Sequence, residues 1–564
     1  MAEAQRTIWL GTNCLALCVL LLGSAWAREL LTDPGFEGNY PHIAPGWSIN
    51  AWGTEAPEYQ ASCETANPHE GASSQRLEVT GLPAKSGVIL RQNYTFKQGH
   101  VYRARLWLRS PDRAGVQVLL RRSGPHYDAG AIRGIEVDAN WQEVCIEGGF
   151  GDSDVAGFFG VACKRSGTVI LDSASLVDIT SEVLSRPVSS QAVPASLFGI
   201  HINKLGTHNV WPDLGAGMLR LWDTATCWRY LQPEPDRWEW TRLDYYLRHV
   251  QRNAPTARVL LTLGMTPDWA VSPEVKAGEQ AGTSPPVNLD HWRNYVRTLG
   301  KRYKGRIHCW ELWNESDYAG FYTGSPGEML PLARIAWEEL KGIDPQNLVL
   351  SPNVTRAGLA WLDQYLSLGG GQYADILSFH CYPPPNPEDA VPIYAAVRDL
   401  ARAHGQGDKP IWNTEGAVES KAQFAEDEAR GAVARAYLVQ WAQGVQNFNW
   451  YCWDIHWPGG ADLSKTLTGP DLAPGGVAYR ELAEWMTGAS MVRRTVAGTT
   501  WTVELKRKDG RSALIAWTTQ KAESMPIPDH WKGARRRDLE GNATEIHEGL
   551  AAIGPAPVLL EPLF

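Results

Sequence analysis

Between residues 197 and 453, short apolar runs typical of buried β-strands alternate with longer segments that carry apolar residues at helical spacing. The apolar runs are 197–201, 218–223, 258–263, 307–313, 348–351, 376–380, 410–413 and 448–453. Strands that alternate with helices form a parallel sheet with crossover helices, and eight strands close a (β/α)8 TIM barrel. The sequence therefore predicts an α/β protein whose central unit, over 197–489, is such a barrel.

Two of the intervening segments have specific helix signals. Ser325 stands before Pro326 and three residues before Glu328, which predicts a capping box with proline at the first helical position. The segment 290–303 places large apolar side chains on one stripe: Trp292, Tyr295, Val296, Leu299 and Tyr303.

The regions on either side of the predicted barrel alternate apolar and polar residues with period two. Residues 28–180 consist of short runs broken by Gly, Pro, Asn and Asp, and they predict a β-sandwich. The polar segment 181–196 contains Pro187 and Pro194 and is typical of a linker. Residues 490–564 return to period two and predict a small C-terminal β-domain.

The N-terminus has the pattern of an export signal. Arg6 precedes the apolar stretch 8–22, and Ser24, Ala25 and Ala27 supply the small residues of a cleavage site. We therefore predict a signal peptide over 1–27 and a secreted or periplasmic protein, with a retained membrane anchor as the alternative. No other segment is apolar for long enough to span a bilayer.

The net charge of -9 argues against a nucleic-acid partner, because such a partner requires a basic surface. Seven cysteines follow the predicted signal, an odd number that cannot all pair within the chain. Cys63, Cys145 and Cys163 could include one disulfide in an exported domain, whereas the other four lie in or beside apolar runs. No cysteine or histidine cluster has metal-ligand spacing, so the sequence predicts neither a metal nor another cofactor.

Polar side chains collect where the predicted strands end, at the rim on which barrels of this type do their chemistry. Two of them are glutamates, Glu315 after strand four and Glu415 after strand seven. Two carboxylates that face each other across a pocket can cleave a glycosidic bond, one as acid and one as nucleophile. The same rim is predicted to carry the substrate-binding residues Arg220, Asp223, Asn314, Asn353, His380, Tyr382 and Trp453.

The order of these residues resembles that of clan A glycoside hydrolases, which carry Arg on strand two, Asn-Glu after strand four, His-x-Tyr after strand six, Glu after strand seven and Trp after strand eight. The sequences FGIH at 198–201 and RLWD at 220–223 are most similar to glycoside hydrolase family 39 and its relatives, and family 5 is the nearest competitor. The N-terminal sandwich, with DPGFE at 33–37 and LDSASL at 171–176, resembles galactose-binding-like jelly rolls, a fold of many carbohydrate-binding modules.

The resemblance implies a retaining mechanism in which Glu315 is the acid/base and Glu415 the nucleophile. We expect burial and the negative charge of Glu415 to raise the pKa of Glu315. Arg220 is expected to keep Glu415 ionised, and Tyr382 to donate a hydrogen bond to the same carboxylate. Asn314 is expected to bind the 2-hydroxyl of the sugar.

The remaining rim residues have structural alternatives. Trp453 is expected to form the floor of the −1 subsite by stacking on the apolar face of the sugar. His380 could equally be a core histidine, and Asp223 and Asn353 could cap loops.

In the sandwich, Trp52, Tyr127 and Trp141 are candidates for a sugar cleft, and the rival interpretation is a domain that only stabilises the barrel.

The sequence thus predicts a secreted retaining glycoside hydrolase that cleaves β-glycosidic bonds of a polysaccharide or oligosaccharide. A catalytically silent carbohydrate-binding protein of the same architecture is the alternative. A metal-dependent barrel hydrolase is disfavoured, because strand one ends in HIN at 201–203 rather than His-x-His. The sugar, the linkage, exo or endo action and the oligomeric state are left open.

Overall fold

The computed structural model describes residues 28–206, 211–276, 281–418, 420–457, 459–547 and 549–563. The predicted signal peptide over 1–27 lies outside the described residues. The described chain forms an N-terminal β-sandwich, a central barrel and a C-terminal β-domain. The predicted fold class is confirmed.

The sandwich is built from ten strands: β1 (Ser48–Trp52), β2 (Glu58–Glu64), β3 (Ser74–Gly81), β4 (Gly87–Phe96), β5 (Tyr102–Arg109), β6 (Ala114–Arg122), β7 (Ala129–Val137), β8 (Gln142–Gly148), β9 (Val155–Cys163) and β10 (Gly167–Asp178). They form two antiparallel sheets, ordered β1-β4-β9-β6-β7 and β2-β3-β10-β5-β8. In β5, Tyr102, Ala104, Leu106 and Leu108 are buried while the residues between them are more exposed, which is the period-two pattern seen in the sequence.

The barrel strands are β11 (Phe198–His201), β12 (Met218–Leu221), β13 (Arg258–Leu263), β14 (Cys309–Leu312), β15 (Leu348–Pro352), β16 (Leu377–His380), β17 (Ile411–Gly416) and β18 (Val445–Trp450). Neighbouring strands run parallel in the order β15-β14-β13-β12-β11-β18-β17-β16. A parallel bridge between Leu350 and Ile376 joins the two ends of this order and nearly closes the barrel. The sequence predicts strand eight over 448–453, whereas β18 ends at Trp450.

The α-helices of the described residues are α1 (Thr180–Ser185), α2 (Trp228–Leu231), α3 (Thr241–Asn253), α4 (Pro273–Lys276), α5 (Leu289–Arg302), α6 (Pro326–Ile343), α7 (Leu359–Ser367), α8 (Val391–Ala403), α9 (Glu426–Ala442) and α10 (Pro474–Met486). The predicted capping box opens α6, where the Ser325 side chain accepts from the Glu328 N–H and the Glu328 carboxylate accepts from the Ser325 N–H. The predicted apolar stripe of α5 is buried against the barrel. None of the described helices combines the length and apolarity needed to cross a membrane.

The C-terminal domain has the strands β19 (Ser490–Ala497), β20 (Thr500–Lys506), β21 (Ser512–Thr518), β22 (Glu523–Pro526), β23 (Ala534–Arg537), β24 (Ala543–Ile546), β25 (Leu550–Ile553) and β26 (Val558–Pro562). Six of them form one sheet, and β22 pairs with β25. Arg494 of β19 donates to the carbonyls of Val183 and Leu184 in α1, which ties the predicted linker to this domain.

The sandwich packs against the outer helices of the barrel through both apolar and polar contacts. The Gly134 N–H on β7 donates to the carboxylate of Asp363 on α7 at 2.7 Å. Arg133, beside it, donates to Asp399 on α8 at 3.0 Å. These two contacts lie on β7, at one edge of the β1-β4-β9-β6-β7 sheet. Strand β1 lies at the opposite edge.

All seven cysteines from Cys63 to Cys452 are free thiols in the described residues. Five are buried and pack as small apolar side chains, and burial raises the pKa of the Cys163 thiol to about 12. The disulfide considered among the first three cysteines is not formed.

Candidate active site

Arg220, on β12, is fully buried at the centre of the barrel and organises the residues around it. Its Nε donates to Glu311 Oε2 at 2.8 Å, its Nη1 to Glu415 Oε2 at 2.7 Å and its Nη2 to Asn314 Oδ1 at 2.8 Å. A planar guanidinium that donates in three directions fixes the relative positions of its acceptors. Strands two, four and seven are therefore linked through one side chain.

Glu311 is a member of this cluster that sequence reasoning missed. It is fully buried on β14, and it accepts hydrogen bonds from Thr262 at 3.0 Å and Thr414 at 2.6 Å as well as from Arg220. Burial raises its pKa, but the charges of Arg220 and His380 and the hydrogen bonds of Thr414 and Arg220 together bring the net pKa below the ordinary value. The signal was available in the sequence, because an acid inside an apolar strand requires a cationic partner.

Glu415 lies near the end of β17 with 7% of its surface exposed. Tyr382 Oη donates to its Oε1 at 2.9 Å, while Arg220 holds its Oε2. His380 Nδ1 lies 4.0 Å from the same Oε2. Each carboxylate oxygen thus has a donor, as the sequence analysis expects for Arg220 and Tyr382.

Glu315 follows β14 in a loop whose backbone is unusual. The φ angles of Trp313 and Glu315 are 56° and 42°, in the left-handed region that residues with a side chain rarely adopt. Asn353 Oδ1 accepts from the Glu315 N–H at 2.6 Å, and Asn353 Nδ2 donates to the Trp313 carbonyl at 2.9 Å. Asn353 is fully buried, so the structure places it as a brace for this strained turn. His380 Nδ1 lies 3.0 Å from Glu315 Oε1.

The pKa directions of the two glutamates are the reverse of those expected from the sequence. Burial raises the pKa of Glu415, and its net pKa lies above the ordinary value although His380 and Arg220 lower it. Burial also raises the pKa of Glu315, but the hydrogen bond and charge of His380 bring the net pKa below the ordinary value. The expectation of a raised pKa at Glu315 is therefore wrong for the site without substrate, because His380 contacts Glu315 directly.

One oxygen of each glutamate and one ring nitrogen of His380 lie within 4.8 Å of one another. Carboxylate and imidazole groups at this spacing could hold a metal ion. Arg220 already places a positive charge 2.7 Å from Glu415, and a cation would have to share that carboxylate with it. The absence of a metal stays a prediction.

The aromatic residue at the end of strand eight differs from the prediction. Trp453 is 0% exposed and belongs to the barrel core, so its ring face is not open to a sugar. Tyr451 lies at the rim instead, where its hydroxyl donates to the carboxylate of Asp223 and its ring packs edge-on against His201 with centroids 5.0 Å apart. Asp223 is exposed at the rim, and its contact with this region is the hydrogen bond that it accepts from Tyr451.

Tyr318 is a further aromatic residue that sequence reasoning missed. Its backbone N–H donates to the Glu315 carbonyl at 2.9 Å, so it belongs to the same turn. Its side chain is 56% exposed. An aromatic residue three positions after a candidate acid, in a polar loop, is the sequence signal that points to it.

The structure therefore brings most of the predicted site together and separates two members from it. Asp223 stands at the edge, and Trp453 lies in the core. The residues brought together are Arg220, Asn314, Glu315, Asn353, His380, Tyr382 and Glu415.

Comparison with known proteins agrees with this geometry. Residues 312–467 match the family model described as glycosyl hydrolase catalytic core. The match includes both glutamates and the segment between them.

Solved structures of glycoside hydrolases share the fold. A family 39 glycoside hydrolase from the gut symbiont Bacteroides cellulosilyticus WH2 is similar over 80% of this chain and 95% of its own, with 15% identity and a TM-score of 0.53. A glucosidase from Croceicoccus marinus is similar over 67% of this chain and 97% of its own, with 14% identity and a TM-score of 0.50. The predicted resemblance to clan A glycoside hydrolases, with family 39 among the structural neighbours, is confirmed. A search of curated proteins gives no match to the chain.

Proposed function

We propose that the protein is a retaining glycoside hydrolase that cleaves a β-glycosidic bond by double displacement. One observation carries the proposal: carboxylate oxygens of Glu315 and Glu415 lie within 4.8 Å of each other at the barrel rim. Retaining enzymes place their carboxyl groups about 5–5.5 Å apart, whereas inverting enzymes leave about 6.5–9.5 Å for a water molecule. The short separation supports the retaining class.

In the first step, Glu415 attacks the anomeric carbon while Glu315 protonates the glycosidic oxygen. The bond from carbon to the leaving oxygen breaks, a bond from carbon to the Glu415 carboxylate forms, and the Glu315 proton leaves with the departing alcohol. Arg220 holds Glu415 in position and occupies Asn314 Oδ1, so the Asn314 amide presents its Nδ2 to the sugar 2-hydroxyl.

In the second step, the ionised Glu315 takes a proton from a water molecule. The water oxygen bonds to the anomeric carbon and the bond to Glu415 breaks, which restores the carboxylate and gives net retention of configuration. The Tyr382 hydroxyl, 2.9 Å from Glu415 Oε1, and Arg220 stabilise the carboxylate as it departs.

The roles of the two glutamates are assigned from their positions and hydrogen-bond partners. Glu415 has a charged donor on one carboxylate oxygen and a hydroxyl donor on the other. This suits a carboxylate that is consumed in the first step and restored in the second. Glu315 lies in the outer turn beside the exposed Tyr318, on the side where a leaving group can depart. Positive charge that develops at the anomeric carbon favours the ionised form of Glu415. The one proton carried by the pair of glutamates then resides on Glu315.

The decisive experiment compares azide rescue in Glu415→Ala and Glu315→Ala with an activated aryl glycoside. Glu415→Ala is expected to be inactive until azide is added, and then to form a glycosyl azide of inverted configuration. Glu315→Ala is expected to form a glycosyl azide of retained configuration. Glu338→Ala, at an exposed glutamate on α6, is the matched control and should keep full activity.

Four results would contradict this mechanism. Substantial turnover in both glutamate variants would remove the two-carboxylate assignment, and an inverted product from the unchanged enzyme in an NMR time course would remove retention. Loss of activity after EDTA treatment would favour a metal-dependent reaction. Binding of oligosaccharides without hydrolysis of any substrate would favour the silent carbohydrate-binding alternative.

We further propose that the substrate is a polysaccharide or oligosaccharide outside the cytoplasm. The basic residue, apolar stretch and small residues of 1–27 support export. Product analysis on a panel of plant and bacterial polysaccharides tests the substrate class, and N-terminal sequencing of the exported protein tests cleavage after Ala27.

A further inference from the structure

The outer face of the β1-β4-β9-β6-β7 sheet carries a pocket of about 380 Å³. It lies across the sheet, from β1 at one edge to β6 and the loop that follows β6. Its walls and floor combine two exposed aromatic rings with polar and cationic groups. The residues used in the argument are Asn50, Trp52, Arg91, Arg121, Ser123 and Tyr127.

Two aromatic side chains on this pocket are unusually exposed. Trp52 is 42% exposed and Tyr127 is 57% exposed. The ring of Trp52 lies directly on Gly87, where an added Cβ atom would approach the ring to 2.2 Å, so the glycine lets the ring lie close to the sheet. Exposed rings on one pocket offer faces for stacking with the C–H groups of a sugar.

The third aromatic candidate from the sequence, Trp141, lies elsewhere. Its Nε1 donates to the Asn67 carbonyl, and its ring is covered by the guanidinium of Arg109 at 5.2 Å from the centroid. Its partners thus come from segments that do not line the pocket. The structure selects Trp52 and Tyr127 as the pair that shares a pocket.

Two arginines that line this pocket, Arg91 and Arg121, have no acidic partner among the described residues. The Arg91 guanidinium lies 5.0 Å from the Phe158 ring centroid, and that of Arg121 lies 5.2 Å from the Tyr127 ring centroid. Within the described residues, neither arginine has a carboxylate at ion-pair distance, no acidic side chain lines the pocket, and the buried Nε of Arg91 has no hydrogen-bond partner. Burial lowers the pKa of Arg121, and the neighbouring charge of Arg91 lowers it further.

The adjacent arginine, Arg122, differs from these two because it has carboxylate partners. Arg122 pairs with Asp128 at 2.8 Å and with Asp152 at 2.9 Å, in the manner of an ordinary structural arginine. Two neighbouring guanidinium groups without an anion are best satisfied by a carboxylate ligand, to which arginine can donate two parallel hydrogen bonds.

The acidic partner of Arg122 contacts a loop of the barrel. Asp152, the partner of Arg122, lies 3.7 Å from Arg356, which belongs to the loop between β15 and α7. That loop is at the carboxyl ends of the barrel strands, where Glu315 and Glu415 also lie. The loop between β8 and β9 of the sandwich thus contacts the barrel on the side where the barrel strands end.

We propose that this pocket binds an acidic glycan, a chain that contains uronic acid residues. A sugar ring stacks on Trp52 and Tyr127, its carboxylate binds Arg91 and Arg121, and Asn50 and Ser123 take hydroxyl groups. Binding at this site does not depend on the proposed hydrolysis and is measured separately.

The test measures binding of the full chain, by affinity electrophoresis and calorimetry, to acidic polymers and their neutral counterparts. Polygalacturonate is compared with its methyl ester, and glucuronoxylan with unsubstituted xylan. We expect at least one acidic polymer to bind roughly tenfold more tightly than its neutral counterpart at low salt, and this preference to weaken as salt is added. Arg121→Gln and the Arg91→Gln/Arg121→Gln double variant are expected to lose the preference, and Trp52→Ala and Tyr127→Ala to lose binding itself.

Matched controls are Trp141→Ala and Arg165→Gln, an aromatic and an arginine outside the pocket, which should bind as the unchanged protein does. Thermal unfolding checks that each variant is folded, and Arg121→Gln alone keeps the test valid if the double variant is not. Equal binding of acidic and neutral polymers would overturn the proposal, as would unchanged binding in the pocket variants. Binding of poly-glutamate but of no glycan through these residues would overturn it in favour of an acidic protein partner.

Discussion

Arg220 in the barrel and the pair Arg91 and Arg121 in the sandwich differ in what surrounds their positive charges. Arg220 is fully buried and ion-paired to Glu311 at 2.6 Å and to Glu415 at 2.7 Å. The two sandwich arginines have no carboxylate partner among the described residues. A buried charge that is paired holds neighbouring groups in place, whereas one left unpaired at a pocket is available to a ligand.

The largest contrast is expected from removing charge in each region. Arg220→Gln leaves Glu311 buried without its cationic partner, which typically costs about 3–5 kcal/mol of stability. Arg121→Gln removes a charge that has no carboxylate partner among the described residues. The free energy of unfolding of this variant should therefore stay within roughly 0.5 kcal/mol of that of the unchanged protein. Urea unfolding followed by tryptophan fluorescence measures both. Equal destabilisation by the two substitutions would break the comparison.

Next in size is the loss of the Tyr382 hydroxyl. Tyr382→Phe removes a hydrogen bond to the Glu415 carboxylate and should lower kcat by about 10- to 100-fold, because hydrogen bonds to charged groups contribute about 1.5–3 kcal/mol. Tyr94→Phe, in the sandwich, is the control and should leave kcat unchanged. A decrease confined to KM would show that Tyr382 binds substrate and does not support Glu415.

A smaller effect is expected in the pH profile of His380→Asn. His380 lowers the pKa of both Glu315 and Glu415, so its removal should raise both. The acid must be protonated and the nucleophile ionised, so both limbs of the kcat/KM profile should move to higher pH. His404→Asn, whose imidazole pairs with Asp363 between the barrel and the sandwich, should leave the limbs in place. A shift to lower pH would contradict the contacts seen here.

The smallest expected effect separates two exposed tyrosines. Tyr318→Ala should raise KM for a short substrate by roughly two- to tenfold, because it removes one stacking surface worth about 0.5–1.5 kcal/mol beside Glu315. Tyr127→Ala should leave this KM unchanged and affect only polymer binding. Steady-state kinetics on an aryl glycoside and on a polymer compare the two. An equal KM increase on the short substrate would show that the two sites are not separate.

The barrel and its two glutamates were readable from local patterns. Strand and helix periodicity reports which face of each element is buried, and eight such strands have one common way to close. Glu315 and Glu415 follow strands whose ends must meet at one rim, so their pairing followed from the fold class. The capping box at Ser325 was equally local, because it depends on residues three positions apart.

Other features depended on contacts between distant parts of the chain. The burial of a charged group at Glu311 is explained by its contact with Arg220, which lies 91 residues earlier. The pKa of Glu315 is lowered by His380, a neighbour that was not expected beside it from the sequence. Whether Tyr451 or Trp453 reaches the rim depends on where β18 ends, and strand ends are poorly defined by periodicity.

By itself, the sequence determined the sandwich, the barrel, the C-terminal domain and the two carboxylates. The spacing of apolar residues within each strand or helix, and the order of these elements along the chain, can be read from short stretches of sequence. Only the tertiary structure decided which groups surround each carboxylate, and that Trp52 and Tyr127 share a pocket with Arg91 and Arg121. The physical reason is that electrostatic and stacking interactions act over a few ångströms in space, and residues brought that close come from strands far apart in the chain.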